Sequence, residues 1–320
     1  MKPIAAVLLL SATALSAQPS ATPLQQAATL IEEARYDDAS RLLAPLANSA
    51  DPQVSYLRGR IALAQNHAEA AAALLEKAVA GNEHVAAYHF YLGSAYGQQA
   101  MEANVFHQAM LAKKTQAEYE RAVALDPNSI DARLGLIDFY SIAPGFMGGS
   151  MEKALQQAAE VKKRDAWQGH RAAARVYLRD KKPDLARKEM QDSVREQPNS
   201  AKAHASFASF LAQNDKNFAA AWSELDTALK LDPTYMPTYA RIGQVAALSG
   251  AQLARGEEAL KTYLAYHPKS GEPDLASAHY TLGTIYEKQG KKAEARASYL
   301  AAARLAPASK AVQEALKRVS

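Results

Sequence analysis

The sequence repeats itself about every 34 residues, and this period restricts the possible folds more than any other feature. The last copy begins at Ala276 and reads ASAHYTLGTIYEKQGKKAEARASYLAAARLAPAS. Small residues such as Gly283 and Ala295 recur at fixed positions, and Pro307 stops the second of its two helices. One such helix pair cannot bury its apolar face alone, so successive copies must stack. The period therefore predicts an all-α solenoid.

Eight residues of this copy stand at the spacing of a tetratricopeptide repeat (TPR), a helix–turn–helix unit. They are Leu282, Gly283, Tyr286, Gly290, Ala295, Tyr299, Ala302 and Pro307. Residues 167–200 and 201–234 follow the same frame, so the chain resembles the TPR family over about residues 20–310. The resemblance implies a right-handed superhelix of antiparallel helix pairs that mediates protein–protein contacts. No catalytic residue belongs to the family's motif.

The repeat frame predicts about seven or eight units followed by a terminal helix. Residues 20–51 form a degenerate first unit, 52–309 the repeat array, and 310–320 a capping helix whose apolar residues share one side. Hydrophobic residues make up 48% of the chain and charged residues 22%, as in ordered proteins that are not embedded in a membrane.

The N-terminus has the features of a secretory signal peptide over residues 1–17. Lys2 provides the positive charge, a short apolar stretch runs over residues 4–15, and small residues precede Gln18. The alternative is an uncleaved helix at a membrane surface. Because the chain has no cysteine, it cannot be a lipoprotein, a disulfide-bonded protein or a thiol enzyme. No second long apolar run follows, so we expect an exported protein, most simply periplasmic, without stable membrane insertion.

Three units are longer than the motif, with insertions near residues 97–115, 141–153 and 250–258. Tyr96 and Tyr119 are 23 residues apart where the motif has about 13. All three insertions fall between the two helices of one repeat, and the first should lengthen the second helix of its unit. Because these turns share one edge of a stacked array, the first two insertions should be spatial neighbours.

The first two insertions carry a set of flexible or aromatic apolar side chains that we treat as a candidate recognition surface on the rim. This rim set comprises Met101, Phe106, Met110, Phe146 and Met147. The alternative is that these side chains pack against each other and only stabilise the long hairpin.

The family resemblance also implies a concave groove lined mainly by the first helix of each repeat. The corresponding candidate residues are Tyr56, Arg60, Phe90, Ser94, Gln98, Asp138, Arg171, Arg175, Arg179, Gln213 and Tyr280. Arg171, Arg175 and Arg179 are spaced four residues apart, so they share one helical face. Arginine can bind carboxylate or phosphate groups in bidentate fashion. Alternatively, carboxylates of the preceding unit, such as Asp138, neutralise this row.

Other chemistry finds little support in the sequence. The net charge of +4 is spread along the chain, so the sequence shows no basic patch of the kind that binds nucleic acids. His89, His170, His204 and His279 occupy the same position in four different repeats, so they should lie too far apart to bind a metal. Gly148-Gly149-Ser150 lacks the P-loop pattern, and no sequence motif suggests an enzyme or a cofactor.

The sequence therefore favours a non-enzymatic exported scaffold or adaptor that binds a protein or peptide partner in its groove, with arginine side chains pairing to acidic groups. A periplasmic receptor for an anionic small molecule or glycan is the second hypothesis. Catalysis at the rim is a third, without a motif to support it.

Overall fold

The computed structural model describes residues 21–269 and 271–320, and the predicted signal peptide lies outside this part of the chain. The described residues form seventeen α-helices, of which sixteen make eight antiparallel pairs. The first helices are α1 (Pro23–Glu32), α3 (Pro52–Ala64), α5 (Ala86–Glu102), α7 (Ile130–Ile142), α9 (Ala166–Arg179), α11 (Ala201–Phe210), α13 (Pro237–Ser249) and α15 (Leu275–Lys288). The second helices are α2 (Tyr36–Leu43), α4 (Ala68–Gly81), α6 (Val105–Leu125), α8 (Met151–Lys162), α10 (Pro183–Glu196), α12 (Phe218–Leu231), α14 (Leu253–Leu264) and α16 (Lys292–Leu305).

A last helix, α17 (Lys310–Arg318), packs on α16 and buries Val312 and Ala315. The all-α solenoid predicted from the repeat period is confirmed. None of the helices in the described ranges has the length and apolar character needed to cross a bilayer.

Local sequence signals fix where many helices begin. The Ser129 hydroxyl accepts a hydrogen bond from the backbone N–H of Ala132, and Ser200 caps α11 in the same way. These side chains satisfy donors that a helix N-terminus leaves free. Pro52 occupies the first turn of α3, where its missing N–H costs nothing.

Close contact within each pair depends on small residues in the first helix. A Cβ added to Gly283 would lie 2.5 Å from the Tyr299 ring, so only glycine lets α15 and α16 approach this closely. The equivalent contact in the preceding repeat joins Gly243 to Leu260. These contacts identify the large side chain of the second helix that packs against the glycine in each of the two repeats.

The predicted insertion near residues 250–258 is wrong. Gly243 faces Leu260, 17 residues later, whereas Gly283 faces Tyr299, 16 residues later. This repeat therefore has one extra residue between the two contacting positions, and the connection between its helices is three residues long in both repeats. Tyr263 lies one turn beyond Leu260. Its hydroxyl donates a hydrogen bond to the carbonyl oxygen of Pro273.

The first insertion lengthens both helices of its repeat rather than the second alone. Helix α5 has 17 residues and α6 has 21, against 14 in each of α15 and α16. Only Ala103 and Asn104 connect α5 and α6. The second insertion forms an irregular connection between Ile142 and Met151 that contains a 3₁₀ turn, Gly145–Met147.

The packing of the helices explains the curvature of the array. From α1 to α13, each first helix contacts both its partner and the first helix of the next repeat. Within the described chain, no second helix makes a comparable contact with the next second helix. Since the first helices lie closer together, they form the inner, concave layer and the second helices the outer layer.

The superhelix curves far enough for its two ends to border one cavity. Tyr36 and Asn66, from the first two repeats, line a space of about 1080 Å³ whose other wall includes Leu248, Tyr280 and Val312. The concave surface is therefore partly enclosed by the chain's own terminal repeats.

Candidate partner-binding groove

The N-terminal half of the groove is a cluster of aromatic rings on α3 and α5. The ring centroid of Tyr56 lies 4.8 Å from that of Tyr88 and 5.6 Å from that of Tyr91. Phe90 stands edge-on to Tyr91 at 4.9 Å. Offset and edge-to-face rings at these distances attract one another. Tyr56 and Phe90, predicted as groove residues, are therefore held in place by neighbouring rings rather than projecting freely.

Arg60 packs against two rings of this aromatic cluster. Its guanidinium carbon lies 4.7 Å from the Tyr91 ring and 5.6 Å from the Tyr56 ring. Its terminal nitrogen also pairs with Glu32 of α1 at 2.6 Å. Burial raises the pKa of Tyr91 to about 12, so this phenol stays neutral. Arg60 therefore serves mainly to join α1, α3 and α5, and its charge is already compensated.

Ser94 and Gln98, two further predicted groove residues, make different contacts. The Ser94 hydroxyl donates to the carbonyl oxygen of Phe90 at 3.0 Å and lies 3.1 Å from the Tyr119 hydroxyl, so it joins α5 to α6 within one repeat. The Gln98 amide donates to the Asn66 side-chain oxygen at 2.8 Å. Only Gln98 therefore connects neighbouring repeats.

The arginine row on α9 separates into two parts. Arg179 donates hydrogen bonds to Asp138 at 3.0 Å and to Ser141 at 2.6 Å. Arg175 pairs with the same Asp138 carboxylate at 3.5 Å. Arg171 instead lies over the Trp167 ring, with its guanidinium carbon 5.1 Å from the centroid. One carboxylate thus neutralises part of the row, as the second interpretation of the sequence expected, and Arg171 lies apart from it.

Arg171 belongs to a second group of cations contributed by three first helices. We call it the basic cluster and define it as Arg171 of α9, Lys202 of α11 and Arg241 of α13. The Lys202 ammonium lies 5.9 Å from the Trp167 ring and 6.0 Å from the Tyr235 ring. Burial lowers the pKa of Arg171, and the charges of Arg175 and Arg241 lower it further. These positive groups therefore lie near one another in the C-terminal half of the groove.

Gln213 and Tyr280 occupy the same half. Gln213 and Arg241 line a polar pocket of about 240 Å³ between α11, α13 and α15. Tyr280 is half-buried against Tyr299, with ring centroids 5.6 Å apart, and also borders the larger cavity between the two ends of the array. Gln213 is therefore an exposed groove residue, whereas Tyr280 forms part of the wall.

The fold exposes four members of the rim set and buries the fifth. Met101, Phe106 and Phe146 expose 84%, 89% and 81% of their surface, and Met110 is 49% exposed. Met147 is buried and packs with Phe139 and Tyr140. The two insertions do lie side by side. A mainly apolar pocket of about 330 Å³ is bordered by Met101 of the first insertion and by Pro144 and Met147 of the second.

Two family models match parts of the sequence, both described as tetratricopeptide repeats. One covers residues 56–104 and the other residues 276–309. Together with the eight stacked helix pairs, these matches decide the type of array. The chain folds as an α-solenoid of the TPR type.

Solved structures with similar TPR-type folds come from yeast, a bacterium and human. Yeast Tom70 has a TM-score of 0.67 at 14% identity, covering 98% of this chain and 66% of that one. A tetratricopeptide repeat protein from Parabacteroides merdae ATCC 43184 has 0.51 at 14%, covering 84% and 98%. The human IFIT1 dimer with m7Gppp-AAAA has 0.52 at 18%, covering 92% and 70%. These identities show the fold alone, and no curated protein matches the chain.

Three histidines, His89, His170 and His204, join the two helices of their repeats. His170 is fully buried, with Nδ1 2.7 Å from Glu189 and Nε2 3.1 Å from Glu196. His89 and His204 likewise contact a carboxylate of the second helix and a backbone carbonyl oxygen. Over residues 21–269 and 271–320, no group of three or more His, Cys, Asp or Glu side chains is arranged so that it could hold a metal ion. These histidines act as packing groups in the described structure.

The glycine loop after α7 is shaped by packing. Gly148 has a φ of +101°, and a Cβ on Gly149 would lie 1.7 Å from the carbonyl oxygen of Ala143. The Ser150 hydroxyl already accepts a hydrogen bond from the N–H of Lys153. The two glycines are therefore explained by the tight turn of the TPR array.

Sequence analysis missed four residues of the C-terminal half of the groove: Trp167, Lys202, Tyr235 and Arg241. The family's usual groove positions do not include all of them, so mapping those positions could not find the group. The one sequence signal was the recurrence of cationic and aromatic residues at the starts of three successive first helices. Their convergence depends on the superhelical stacking of α9, α11 and α13.

Proposed function

We propose that this protein is an exported, non-enzymatic scaffold that binds a protein or peptide partner in its concave groove. TPR arrays are in general protein-interaction scaffolds, and most lack enzymatic activity. Beyond this general role, we propose that the protein is exported, that its partner binds in the groove, and that the partner carries acidic groups.

The observation that carries this proposal is the contrast between the two halves of the groove. The N-terminal half is aromatic, and its one arginine, Arg60, is paired with Glu32. The C-terminal half contains the basic cluster, for which the described residues provide no ion-pairing carboxylate. A partner with acidic groups would complement the second half, which gives the interaction a direction along the groove.

The rim contributes a second surface to the proposal. Phe106 and Phe146 are almost fully exposed, and Met101 lies beside the apolar pocket between the insertions. Exposed large apolar side chains grouped in this way are typical of interaction surfaces. Export rests on residues 1–17 and on the lack of a spanning helix in the described chain.

In-cell photo-crosslinking tests the proposal directly. A photoreactive residue replaces Gln213 in the groove, Phe106 on the rim, or Arg296 on the second helix α16. The first two positions are exposed on the proposed surfaces, and exposed Arg296 is the matched control. We expect one dominant protein from Gln213 or Phe106 but not from Arg296, with the yield reduced when Lys202→Glu is added. Equal capture from all three positions, or none from correctly exported protein, contradicts the proposal.

A second candidate function is a receptor for an anionic small molecule or glycan. The pocket of about 240 Å³ next to Arg241 favours it, because it offers a cation and two glutamine amides within a small concave space. This function predicts a rise in melting temperature with small anionic ligands and no stoichiometric protein partner. The crosslinking experiment separates it from the scaffold.

A further inference from the structure

The basic cluster brings positive charge from three repeats to one place. Arg171 and Lys202 both stand over the Trp167 ring, at 5.1 Å and 5.9 Å from its centroid. Lys202 also lies 6.0 Å from the Tyr235 ring. Arg241 contributes the third charge, close enough to Arg171 that it lowers the pKa of the Arg171 guanidinium. Two aromatic faces and three cations thus surround one region of the groove.

The charges of this cluster have no directly paired carboxylate, although Asp138 and Glu272 favour the charged forms of Arg171 and Arg241 from a greater distance. Within residues 21–269 and 271–320, no carboxylate forms an ion pair with Arg171, Lys202 or Arg241. By contrast, Asp138 pairs with Arg175 and Arg179 only one or two helical turns away. Like charges held together in a concave, partly desolvated site repel one another, so the cluster costs stability unless an anion binds.

Neutral hydrogen-bond donors extend the site beyond the cations. Gln213 and Gln244 line the pocket that contains Arg241, and their side-chain amides make no hydrogen bond within the described structure. The Nε atom of Arg175 is buried and also lacks a hydrogen-bond partner there. Free amide and guanidinium N–H groups are the donors that oxyanions accept from.

We propose that the basic cluster binds a doubly charged anionic group carried by the partner in the groove. A single carboxylate would leave two of the three positive charges uncompensated, whereas a dianion leaves about one. A phosphorylated side chain and a pair of neighbouring acidic side chains both supply this charge, and guanidinium groups bind either in bidentate fashion. The anion site itself does not depend on the scaffold proposal. The claim that a bound partner carries the anionic group rests on that proposal.

The two tryptophans of the chain provide a direct readout. Trp167 lies within the cluster, whereas Trp222 is buried elsewhere in the core. In a Trp222→Phe variant, the emission of Trp167 can be followed alone. The full chain is titrated at pH 8 and constant ionic strength with inorganic phosphate, with glutarate, and with acetate as the monoanion control. We expect saturable changes with phosphate, glutarate or both, and at least tenfold weaker binding of acetate.

The responding probe identifies the source of the double charge. Stronger binding of phosphate indicates a phosphorylated group, and stronger binding of glutarate indicates paired carboxylates. An equal response to all three anions, or none at all, overturns the proposal.

Charge-removing variants locate the site. Arg241→Gln and Lys202→Gln, each in the Trp222→Phe background, should lower the affinity for the preferred dianion by about tenfold or more. This is the loss expected when a charge-assisted contact is removed. Arg296→Gln removes the same charge from exposed α16 and should leave binding unchanged. Circular dichroism checks folding, and because Lys202 is exposed, Lys202→Gln should leave the fold unchanged. Unchanged affinity in both cluster variants overturns the assignment.

The outcomes also separate this site from the scaffold function. If dianions bind but neither Gln213 nor Phe106 captures a protein, the scaffold proposal fails and the site serves a free anion. If a partner is captured but no dianion binds, the scaffold stands and the anion site fails.

Discussion

Arg179 of α9 donates a hydrogen bond to Asp138 of α7, and this contact sets the boundary between the compensated and uncompensated parts of the groove. Asp138 also pairs with Arg175 at 3.5 Å. Beyond Arg175, the next cation on the same helical face is Arg171, which belongs to the basic cluster. A single carboxylate thus controls how far the positive region extends along α9.

Replacing Asp138 with asparagine should enlarge the positive region with little effect on stability. The pair is partly exposed, so its loss should cost about 1 kcal/mol or less. Dianion affinity, measured by Trp167 emission in the Trp222→Phe background, should rise because Arg175 and Arg179 lose their counter-charge. Asp226→Asn, which removes the partner of Arg255 outside the groove, is the control. A fall in affinity for Asp138→Asn would contradict this account.

Two glycine-to-alanine substitutions should have opposite effects. In Gly283→Ala the new Cβ would meet the Tyr299 ring at 2.5 Å, so we expect a loss of about 1–3 kcal/mol in the free energy of unfolding. In Gly97→Ala the nearest atom, on Thr115, lies at an ordinary 3.5 Å, and better helix propensity should add about 0.5–1 kcal/mol. Urea unfolding measures both. Equal effects would show that helix packing is looser than described.

The buried bridge from His170 to Glu189 and Glu196 should make stability depend on pH. Burial disfavours the imidazolium, but the hydrogen bonds that it donates to both carboxylates outweigh this effect and raise the pKa of His170 above its usual 6.5, despite Lys162 nearby. The charged histidine therefore contributes stability below pH 6.5, which is lost as pH rises through its folded pKa.

Glu189 has the opposite dependence. Burial opposes its ionisation, but His170 and Lys162 lower its pKa below the usual 4.5. Its contribution is present above pH 4.5 and is lost as pH falls through the lowered value. The stability difference between wild type and His170→Asn should therefore be largest between pH 4.5 and 6.5. Thermal unfolding across pH 4–8 measures it, and exposed His84→Asn should show no such maximum.

Neighbouring residues of the second insertion should respond differently to truncation. Met147 is 5% exposed and packs in the core, so Met147→Ala should cost about 2–5 kcal/mol. Phe146→Ala removes a side chain in contact with solvent and should change stability by less than about 0.5 kcal/mol. If the rim binds the partner, only Phe146→Ala should reduce crosslinking from Phe106 at unchanged stability. Unfolding midpoints and crosslink yield together check this.

The sequence predicted the type of helix pair because its determinants are local. Capping residues such as Ser129 act within one helical turn, and the spacing of Gly283 to Tyr299 is fixed by the geometry of two antiparallel helices. Where two residues could fill one position, local spacing was ambiguous. Leu260 and Tyr263 lie one turn apart, and only the contact with Gly243 shows that Leu260 faces the first helix.

The sequence by itself therefore determined the repeat, the all-α solenoid and the arginine row on α9, since each depends on residues within one 34-residue unit. Only the tertiary structure decided that Asp138 compensates Arg179, that Met147 is buried beside exposed Phe146, and that Lys202 and Arg241 join Arg171. These relationships connect different repeats or different sides of a loop. They follow from the stacking angle between helix pairs, which is a sum of many small packing contacts rather than a property of any one motif.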